Sequence, residues 1–215
     1  MTQILDTNRT KVSSQIKQHK LVAILRLKQQ TDVAPLIDCL INAGIHSLEI
    51  TSNTPGFEQE IARARAAHKN ALIGAGTIIN TTLAQQAIDA GAQFIVTPNT
   101  NKSVVELAHQ HGLPVLMGAL TPTDVANAIE YNADIIKVFP AGSMGIGYFK
   151  ALTGPFSEAQ LMPVGGVNLD NISQWFEAGA CGAAVSGDFC KVLNTEQERS
   201  DLTKLVKNYI SKLPK

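Results

Sequence analysis

A lysine and a glutamate each stand alone among apolar residues in this chain, and the two side chains together could do chemistry. Lys137 lies within Ala133-Asp134-Ile135-Ile136-Lys137-Val138-Phe139-Pro140, and Glu49 lies within Ser47-Leu48-Glu49-Ile50-Thr51. Both runs are typical of buried strands in a parallel sheet, where an ionisable side chain is costly to bury. Burial lowers the pKa of a lysine from about 10.4 and leaves a neutral, nucleophilic amine. With a nearby carboxylate to carry protons, such an amine predicts carbonyl chemistry through a covalent imine.

Both residues also have a structural interpretation, which the pattern alone leaves open. A lysine in a strand commonly lies at a sheet edge or extends its amine to water. Glu49 could instead be an ion-pair partner of Arg26 or Lys137. The chemical hypothesis therefore depends on where the fold places these side chains.

Eight short apolar runs alternate with longer amphipathic segments, and these runs are the elements that must position the lysine and the glutamate. The predicted strands are Leu21–Arg26, His46–Thr51, Ala71–Gly76, Gln93–Thr97, Pro114–Gly118, Asp134–Phe139, Gln160–Val164 and Gly182–Ser186. Seven helical segments separate them, and the first 20 residues predict one further helix. Repeated strand–helix units indicate parallel pairing, and eight units predict an α/β fold, a (β/α)₈ TIM barrel with an extra N-terminal helix. An open doubly wound sheet is disfavoured because no glycine-rich dinucleotide motif follows the first strand.

Several helix ends are marked by the residue types that favour them. Glycines precede four predicted strands, where a left-handed C-terminal cap is wanted: Gly44, Gly91, Gly112 and Gly179. Thr121-Pro122-Thr123-Asp124 predicts a helix start, and Thr195-Glu196-Gln197-Glu198 predicts a capping box for the last helix.

Alternation along the strands predicts which polar residues point into the barrel. Lys137 shares a face with Ile135 and Phe139, and Glu49 shares one with Ser47 and Thr51. By the same alternation we place Arg26 with Val22 and Ile24, and Thr77 with Ile73 and Ala75. The four polar residues Arg26, Glu49, Thr77 and Lys137 are then expected to point inward near the C-terminal ends of strands one, two, three and six. Barrel enzymes build their active sites at that end.

Two glycine-bearing turns follow the last two predicted strands. They are Pro163-Val164-Gly165-Gly166-Val167 and Val185-Ser186-Gly187-Asp188. Backbone amides in such turns form the phosphate site common in barrels, so the turns predict a phosphorylated ligand. The alternative for Gly165 and Gly166 is tight packing of a helix on the sheet.

Composition bounds the remaining function classes. The 215 residues include 18 basic and 18 acidic ones, so the formal net charge is zero and gives no case for nucleic acid or a membrane as partner. The length predicts a single domain over residues 1–215. Cys39, Cys181 and Cys190 form no C-x-x-C pair and are interpreted as reduced core thiols. With no signal peptide or membrane-length apolar run in view, we expect a cytoplasmic protein. His109 and His111, spaced i,i+2, are interpreted as surface residues and not as metal ligands.

Six stretches at consistent spacing resemble the class I KDPG/KHG aldolases. These enzymes cleave 2-keto-3-deoxy-6-phosphogluconate (KDPG) to pyruvate and glyceraldehyde 3-phosphate, and some accept 4-hydroxy-2-oxoglutarate (KHG). The resemblance covers about residues 21–188 and implies a (β/α)₈ barrel, a homotrimer, no metal and no cofactor. It rests on Ile24-Leu25-Arg26, Leu48-Glu49-Ile50-Thr51, Gly74-Ala75-Gly76-Thr77, Val96-Thr97-Pro98-Asn99, Lys137-Val138-Phe139-Pro140-Ala141 and Pro163-Val164-Gly165-Gly166-Val167.

The resemblance also implies a role for individual positions. Lys137 matches the Schiff-base lysine and Glu49 the general acid/base. The positions that match substrate-binding residues are Arg26, Thr77, Pro98, Gly165, Gly166, Ser186 and Gly187. Thr77 is expected near the pyruvate carboxylate, whereas the anion that Arg26 contacts is left open.

The sequence departs from the family pattern at two places. Asn53 stands where many gluconate-type members have an arginine, and there the chain is similar to the branch that acts on 2-keto-3-deoxy-6-phosphogalactonate. The order Ser186-Gly187 reverses the usual glycine–serine order, and Asp188 follows, which would put a negative charge beside a bound phosphate. Asn53 is therefore a candidate for the residue that sets the preferred C4 epimer.

Two rival functions fit the same barrel. A phosphosugar epimerase or isomerase would use Glu49 as base and Lys137 as an electrostatic clamp. A non-catalytic sugar-phosphate-binding barrel would bind without turnover. The epimerase or isomerase would form no covalent adduct through Lys137.

Overall fold

All eight strands of the protein run parallel in one sheet that curls into a nearly closed barrel. The computed structural model describes the backbone of residues 2–214 and the side chains of residues 7–214. The strands are β1 (Leu21–Leu25), β2 (Ser47–Thr51), β3 (Leu72–Gly76), β4 (Ile95–Val96), β5 (Val115–Ala119), β6 (Ile135–Val138), β7 (Leu161–Pro163) and β8 (Ala183–Val185). Their order is β7-β6-β5-β4-β3-β2-β1-β8. A single parallel bridge between Val164 and Ala184 joins the two ends of the sheet. The predicted (β/α)₈ barrel is confirmed.

Helices alternate with the strands around the outside of this barrel. They are α1 (Thr2–His19), α2 (Val33–Ala43), α3 (Phe57–Ala67), α4 (Thr81–Asp89), α5 (Lys102–Gln110), α6 (Pro122–Glu130), α7 (Ala141–Met144), α8 (Ile146–Thr153), α9 (Ile172–Glu177) and α10 (Glu196–Ser211). A short 3₁₀ turn, Gln30–Asp32, precedes α2. The crossover after β6 holds two helices, α7 and α8, where the sequence predicted one. Gly145, with a φ of +85°, separates them.

The predicted helix boundaries are present. Gly44, Gly91, Gly112 and Gly179 all have positive φ angles after their helices. Reciprocal capping boxes start α6, between Thr121 and Asp124, and α10, between Thr195 and Glu198. The last helix buries Leu202, Val206 and Tyr209.

Two separate apolar clusters show how the strands divide their side chains. The larger cluster lies between the strands and the surrounding helices and includes Leu48, Ile50, Ile136 and Val138. The smaller one fills the barrel interior. Its members are Val12, Ile16, Val22, Ile24, Leu72, Phe94, Val96, Leu116, Ile135, Met162, Val164 and Ala184. Because Val12 and Ile16 come from α1, this helix covers the N-terminal mouth of the barrel, which leaves the C-terminal mouth as the open end.

The alternation predicted for β3 was wrong. Ile73 and Ala75 belong to the outer cluster, so they face the helices and not the interior. The inward positions of β3 are Leu72, Gly74 and Gly76. The strand was misassigned because its inner face carries glycines, whose missing side chains give the pattern no signal.

The three cysteines are free thiols. Cys39 is buried and lies 3.6 Å from the carbonyl oxygen of Arg199. Burial raises the pKa of the Cys181 thiol to about 12. Among the helices of residues 2–214, none is both long enough and apolar enough to cross a membrane.

Candidate active site

Lys137 lies on β6 with its side chain in the barrel interior. It is 6% exposed, and it pairs in register with Gly118 of β5. Its amino group lies 5.3 Å from the ring centroid of Phe139. Burial lowers the pKa of Lys137, the positive charge of Arg26 lowers it further, and the negative charge of Glu49 opposes both. The site therefore favours the neutral amine, the form that attacks a carbonyl.

Glu49 lies on β2 and faces the same interior. It is 2% exposed, and burial raises the pKa of its carboxyl group, while Lys137 and then Arg26 act in the opposite direction. The pKa of the amine is thus lowered and the pKa of the carboxyl is raised. Both shifts bring the pKa values closer to neutrality, the direction that suits a nucleophilic amine and a proton-transferring carboxyl group.

The carboxyl group of Glu49 occupies space that a side chain at position 76 would fill. A Cβ atom on Gly76 would lie 2.6 Å from Oε1 of Glu49 and 2.8 Å from its Cδ. Such distances are too short for non-bonded atoms. Gly76 is therefore the residue of β3 that makes room for the buried carboxylate.

Arg26 and Thr77 meet at the rim of the barrel. Arg26 follows β1 and is exposed, and its Nη2 donates a hydrogen bond to Oγ1 of Thr77 at 3.2 Å. Thr77 does not reach the site by the strand alternation we predicted, since Ala75 on the same face points outward. It lies one residue past β3 with a φ of +59°, a left-handed conformation that redirects the chain. Thr77 lies next to Arg26 as expected, but this left-handed residue brings it there and not the alternation of the strand.

Cys190 fixes the backbone of Arg26. The amide of Arg26 donates to Sγ of Cys190 at 3.1 Å, and the thiol donates to the carbonyl oxygen of Arg26 at 3.0 Å. A residue five positions past β8 thus holds the residue that follows β1. Burial raises the pKa of the Cys190 thiol, which keeps it protonated as a donor.

Pro98 lies close to the lysine strand because position 118 lacks a side chain. A Cβ atom on Gly118 would lie 2.2 Å from the carbonyl carbon of Pro98. The buried hydroxyl of Thr97 accepts from the amide of Gly118 at 3.0 Å and donates to the carbonyl oxygen of Asn99 at 2.7 Å. Thr97 therefore secures the Pro98 turn against β5, next to the strand that carries Lys137.

The turn after β7 packs closely against the start of α7. The amide of Gly142 donates to the carbonyl oxygen of Gly165 at 2.7 Å, and a Cβ atom on Gly142 would lie 2.7 Å from Cα of Gly166. The side-chain amide of Asn171 donates to the carbonyl oxygen of Gly166 at 2.8 Å. These contacts border an open cavity of about 470 Å³. It is lined by Pro140, Gly142, Ser143, Gly145, Ile146, Gly165, Gly166, Asn171 and Trp175.

In the turn after β8, the charged side chain of Asp188 is directed away from the barrel mouth. Gly187 is exposed with open space around it, and the hydroxyl of Ser186 donates to the carbonyl oxygen of Ile24 at 3.4 Å. The carboxylate of Asp188 accepts a hydrogen bond from the hydroxyl of Tyr209 at 2.5 Å. Asp188 is thus directed toward α10, in contrast to the expectation that its charge would face a bound phosphate.

Asn53 lies in a loop at the rim of the site. Asn53 is exposed in the loop after β2, where the hydroxyl of Ser52 donates to the carbonyl oxygen of Thr77 at 2.8 Å. That bond holds the loop at the rim of the site.

His109 lies at the other end of the barrel, 3.0 Å from a carboxylate oxygen of Asp134. Within the described residues, no group of three or more histidine, cysteine or acidic side chains is arranged to hold a metal ion.

Several residues of the site were not predicted from the sequence. Phe139 could have been found, because it shares the face of Lys137 and lies two residues from it. Thr97, Asn171, Cys190 and Tyr209 act through contacts between distant parts of the chain, which no local pattern reveals. The glycines at 76 and 118 were visible only as members of motifs.

Comparison with protein families places these residues in a known context. A family model described as "KDPG and KHG aldolase" matches residues 12–207. The chain is 34% identical to the 2-dehydro-3-deoxy-6-phosphogalactonate aldolase of Escherichia coli strain K12, over 88% of this chain and 94% of that protein. It is 32% identical to the 2-dehydro-3-deoxy-phosphogluconate aldolase of Treponema pallidum strain Nichols, over 83% of this chain and 91% of that protein.

The fold gives the same result as the sequence. A solved structure described as native KDPGal superposes with a TM-score of 0.82 at 32% identity, covering 89% of this chain and 93% of the other. Gluconate-type and galactonate-type relatives thus match this chain at similar identity.

Proposed function

The chain belongs to the KDPG and KHG aldolase family, and on that basis we propose that it is a class I aldolase. Its substrate is a 2-keto-3-deoxy-6-phosphoaldonate of the gluconate or galactonate type, and its products are pyruvate and glyceraldehyde 3-phosphate. The observation that carries the proposal is the buried pair of Lys137 and Glu49, whose pKa values are displaced toward neutrality from opposite sides.

Lys137 supplies the nucleophile. Its neutral amine adds to the C2 ketone of the substrate to give a carbinolamine. The carboxylic acid of Glu49 gives a proton to the departing hydroxyl, so that water leaves and a protonated imine forms. The amine attacks in its neutral form because burial disfavours the ammonium. The imine then serves as the electron acceptor for the next step.

Glu49 moves the protons. As a carboxylate it takes the proton of the C4 hydroxyl, and the C3–C4 bond breaks with its electron pair passing to the imine. Glyceraldehyde 3-phosphate leaves, and an enamine of pyruvate stays on Lys137. Protonation at C3 and hydrolysis of the imine release pyruvate and return the free amine. The space next to Gly76 fixes the carboxyl group for these transfers.

Arg26 and Thr77 bind the carboxylate of the substrate. That carboxylate is attached to C2, the carbon that Lys137 attacks, so its binding residues must lie within a few ångströms of the amine. The charge of Arg26 acts on the pKa of both Lys137 and Glu49, and its guanidinium is bonded to Thr77. Pro98 borders the same space from the β4 side.

The turns after β7 and β8 bind the phosphate. Gly165 and Gly166 have positive φ angles of 83° and 79°, and both line the open cavity. The proposal that the two turns act together is supported by the parallel bridge between Val164, which precedes these glycines, and Ala184, which lies two residues before Ser186. Backbone amides suit an anion, and binding the phosphate at a distance fixes the C3–C4 bond over Lys137.

The proposal also covers the location, the domain organisation and the assembly of the enzyme. We propose a cytoplasmic enzyme with one catalytic domain over residues 1–215, which works as a homotrimer without metal or cofactor. The three free thiols support an interior location. Light scattering coupled to size exclusion tests the trimer, and activity retained in EDTA tests the independence from metal.

Reductive trapping tests the central step. Borohydride added with pyruvate should leave a stable adduct on Lys137, located by intact-mass and peptide mass spectrometry. Lys137→Arg should lose both the adduct and turnover. Lys150, an exposed lysine on α8, is the matched control: Lys150→Arg should keep both. An adduct on Lys150, or on no lysine, would refute the assignment, and turnover without an adduct would favour an epimerase or isomerase.

A further inference from the structure

Tyr209 lies outside the barrel mouth yet contacts the turn after β8. Its side chain is fully buried on α10, and its ring packs edge-on against Phe189 with centroids 4.8 Å apart. The hydroxyl donates to Oδ2 of Asp188 at 2.5 Å. A buried hydroxyl bonded to a carboxylate at this distance makes a strong, charge-assisted hydrogen bond.

The same hydroxyl also lies near residues 168–171, the loop that joins the turn after β7 to α9. Burial raises the pKa of Tyr209, the hydrogen bond to Asp188 and the charge of Asp170 raise it further, and a backbone hydrogen bond from Leu169 acts the other way. The amino group of Lys212, the residue after α10, donates to the carbonyl oxygen of Leu169 at 2.8 Å. The end of α10 therefore contacts the turn after β8 and the loop that follows the turn after β7.

The turns after β7 and β8 follow a weakly paired join in the sheet. Between β7 and β8, the described backbone pairs through the single bridge from Val164 to Ala184. Apart from β3 and β4, which also share one pair, every other neighbouring pair of strands has at least two residue pairs in register. On the β7 side, the turn after β8 therefore has little support from the sheet, and the Asp188–Tyr209 bond is a contact from outside the sheet that holds it.

The charge of Asp188 makes this contact matter for binding. Asp188 is the residue next to Gly187, so a free carboxylate there could turn toward an anion held by the glycine amides. Like charges a few ångströms apart repel each other, and more strongly where water is partly excluded. The hydrogen bond to Tyr209 keeps the carboxylate on the α10 side of the turn.

We propose that Tyr209 is a positioning residue for phosphate recognition, which holds the Asp188 carboxylate away from the phosphate site. This inference rests on the proposed function, because it assumes that the two turns bind the substrate phosphate. It assigns to α10, a helix remote from Lys137, a role in selecting phosphorylated over unphosphorylated keto acids.

The test compares kcat and KM for two substrates. Tyr209→Phe removes one oxygen atom and keeps the ring in its packing. It should raise KM for the phosphorylated substrate roughly tenfold, the scale of a nearby like charge, while kcat stays close to wild type. KM for 4-hydroxy-2-oxoglutarate, which has no phosphate, should not change. The KM increase should shrink in high salt, because salt screens a repulsion between charges.

A second substitution identifies the released charge as the cause. In the Tyr209→Phe background, Asp188→Asn should return KM for the phosphorylated substrate to near the wild-type value. No recovery, or equal losses on both substrates, would overturn the inference and leave Tyr209 a packing residue. If Tyr209→Phe does not fold, Asp188→Glu provides the test. It keeps the charge but extends it past the tyrosine, and it should show the same selective increase in KM. An unchanged KM in that variant would also overturn the inference.

Measurements on the wild-type enzyme distinguish a failure of this inference from a failure of the proposed function. If wild type shows no preference for the phosphorylated substrate, the proposed phosphate site fails. If it shows the preference and Tyr209→Phe keeps it intact, only the role of Tyr209 fails.

Discussion

The missing side chain of Gly76 makes room for the carboxyl group of Glu49, since a Cβ atom there would lie 2.6 Å from Oε1. Gly76→Ala should therefore displace the carboxylate without changing any reacting group. We expect kcat to fall by roughly ten- to a hundredfold, because general acid–base catalysis depends on hydrogen-bond geometry. Gly147→Ala is the matched control, as a Cβ atom on Gly147 meets open space. Similar kcat values in both variants would contradict the steric argument.

Removing the charge of Glu49 tests its role directly. Glu49→Gln keeps the size of the side chain and should lower kcat by about 100-fold or more, the usual scale of general acid–base catalysis, with a smaller effect on KM. Steady-state kinetics on the phosphorylated substrate provides the measurement. A variant with wild-type kcat would make Glu49 a structural ion-pair partner of Arg26 or Lys137.

The reactivity of Lys137 should depend on pH in a way that its neighbours set. Its lowered pKa means that labelling by a small amine reagent such as cyanate reaches its plateau at a lower pH than for an ordinary lysine. Arg26 contributes to the lowering, so Arg26→Met should move the midpoint to higher pH. Glu49 opposes it, so Glu49→Gln should move the midpoint to lower pH. Peptide mass spectrometry over a pH series measures this, with exposed Lys150 as internal reference. Midpoints that shift the other way would exclude this electrostatic coupling.

Thr97 should stabilise the fold through its hydroxyl. Thr97→Val keeps the shape but leaves the buried amide of Gly118 without that partner, which costs about 1–3 kcal/mol in the free energy of unfolding. Urea denaturation measures the change. Thr97→Ser retains the hydroxyl and should lose less. An unchanged stability in Thr97→Val, or a larger loss in Thr97→Ser than in Thr97→Val, would contradict the role of the hydroxyl.

Asn53 should influence which C4 epimer is preferred. An amide can donate to or accept from a hydroxyl of either configuration, whereas arginine is a charged and rigid anchor. We therefore expect wild type to accept both epimers or to favour the galactonate form, and Asn53→Arg to shift kcat/KM toward the gluconate form. Kinetics on both phosphorylated epimers decides this. A strong gluconate preference in wild type would refute the inference from Asn53 and leave the aldolase chemistry untouched.

The strand pattern of the sequence was sufficient to predict the barrel. Seven of the eight predicted strands contain an observed one and the fifth misses only Ala119, because buried parallel strands give continuous apolar runs between helices. The positions of Glu49 and Lys137 followed from alternation, which aliphatic neighbours on the opposite face made unambiguous. The aldolase family, predicted from six short motifs, is confirmed by the family model.

The limits of the sequence analysis lie at positions without an informative side chain or with a distant partner. Alternation failed in β3, where Gly74 and Gly76 hold the inward positions. It could not foresee that Thr77 reaches Arg26 through a left-handed backbone. The direction of Asp188 depends on Tyr209, 21 residues later in the chain. Such contacts arise only when separate elements pack together.

For anyone randomising this site to broaden the substrate range, the contact between Gly142 and Gly166 divides the positions into two kinds. The two Cα atoms leave no room for a Cβ between them, so a library that varies either position will consist mostly of misfolded members. Ser143 and Asn53 are exposed at the edge of the same mouth and tolerate larger side chains. Sequence variation should therefore be placed at those two positions, and Gly142 and Gly166 should be kept unchanged.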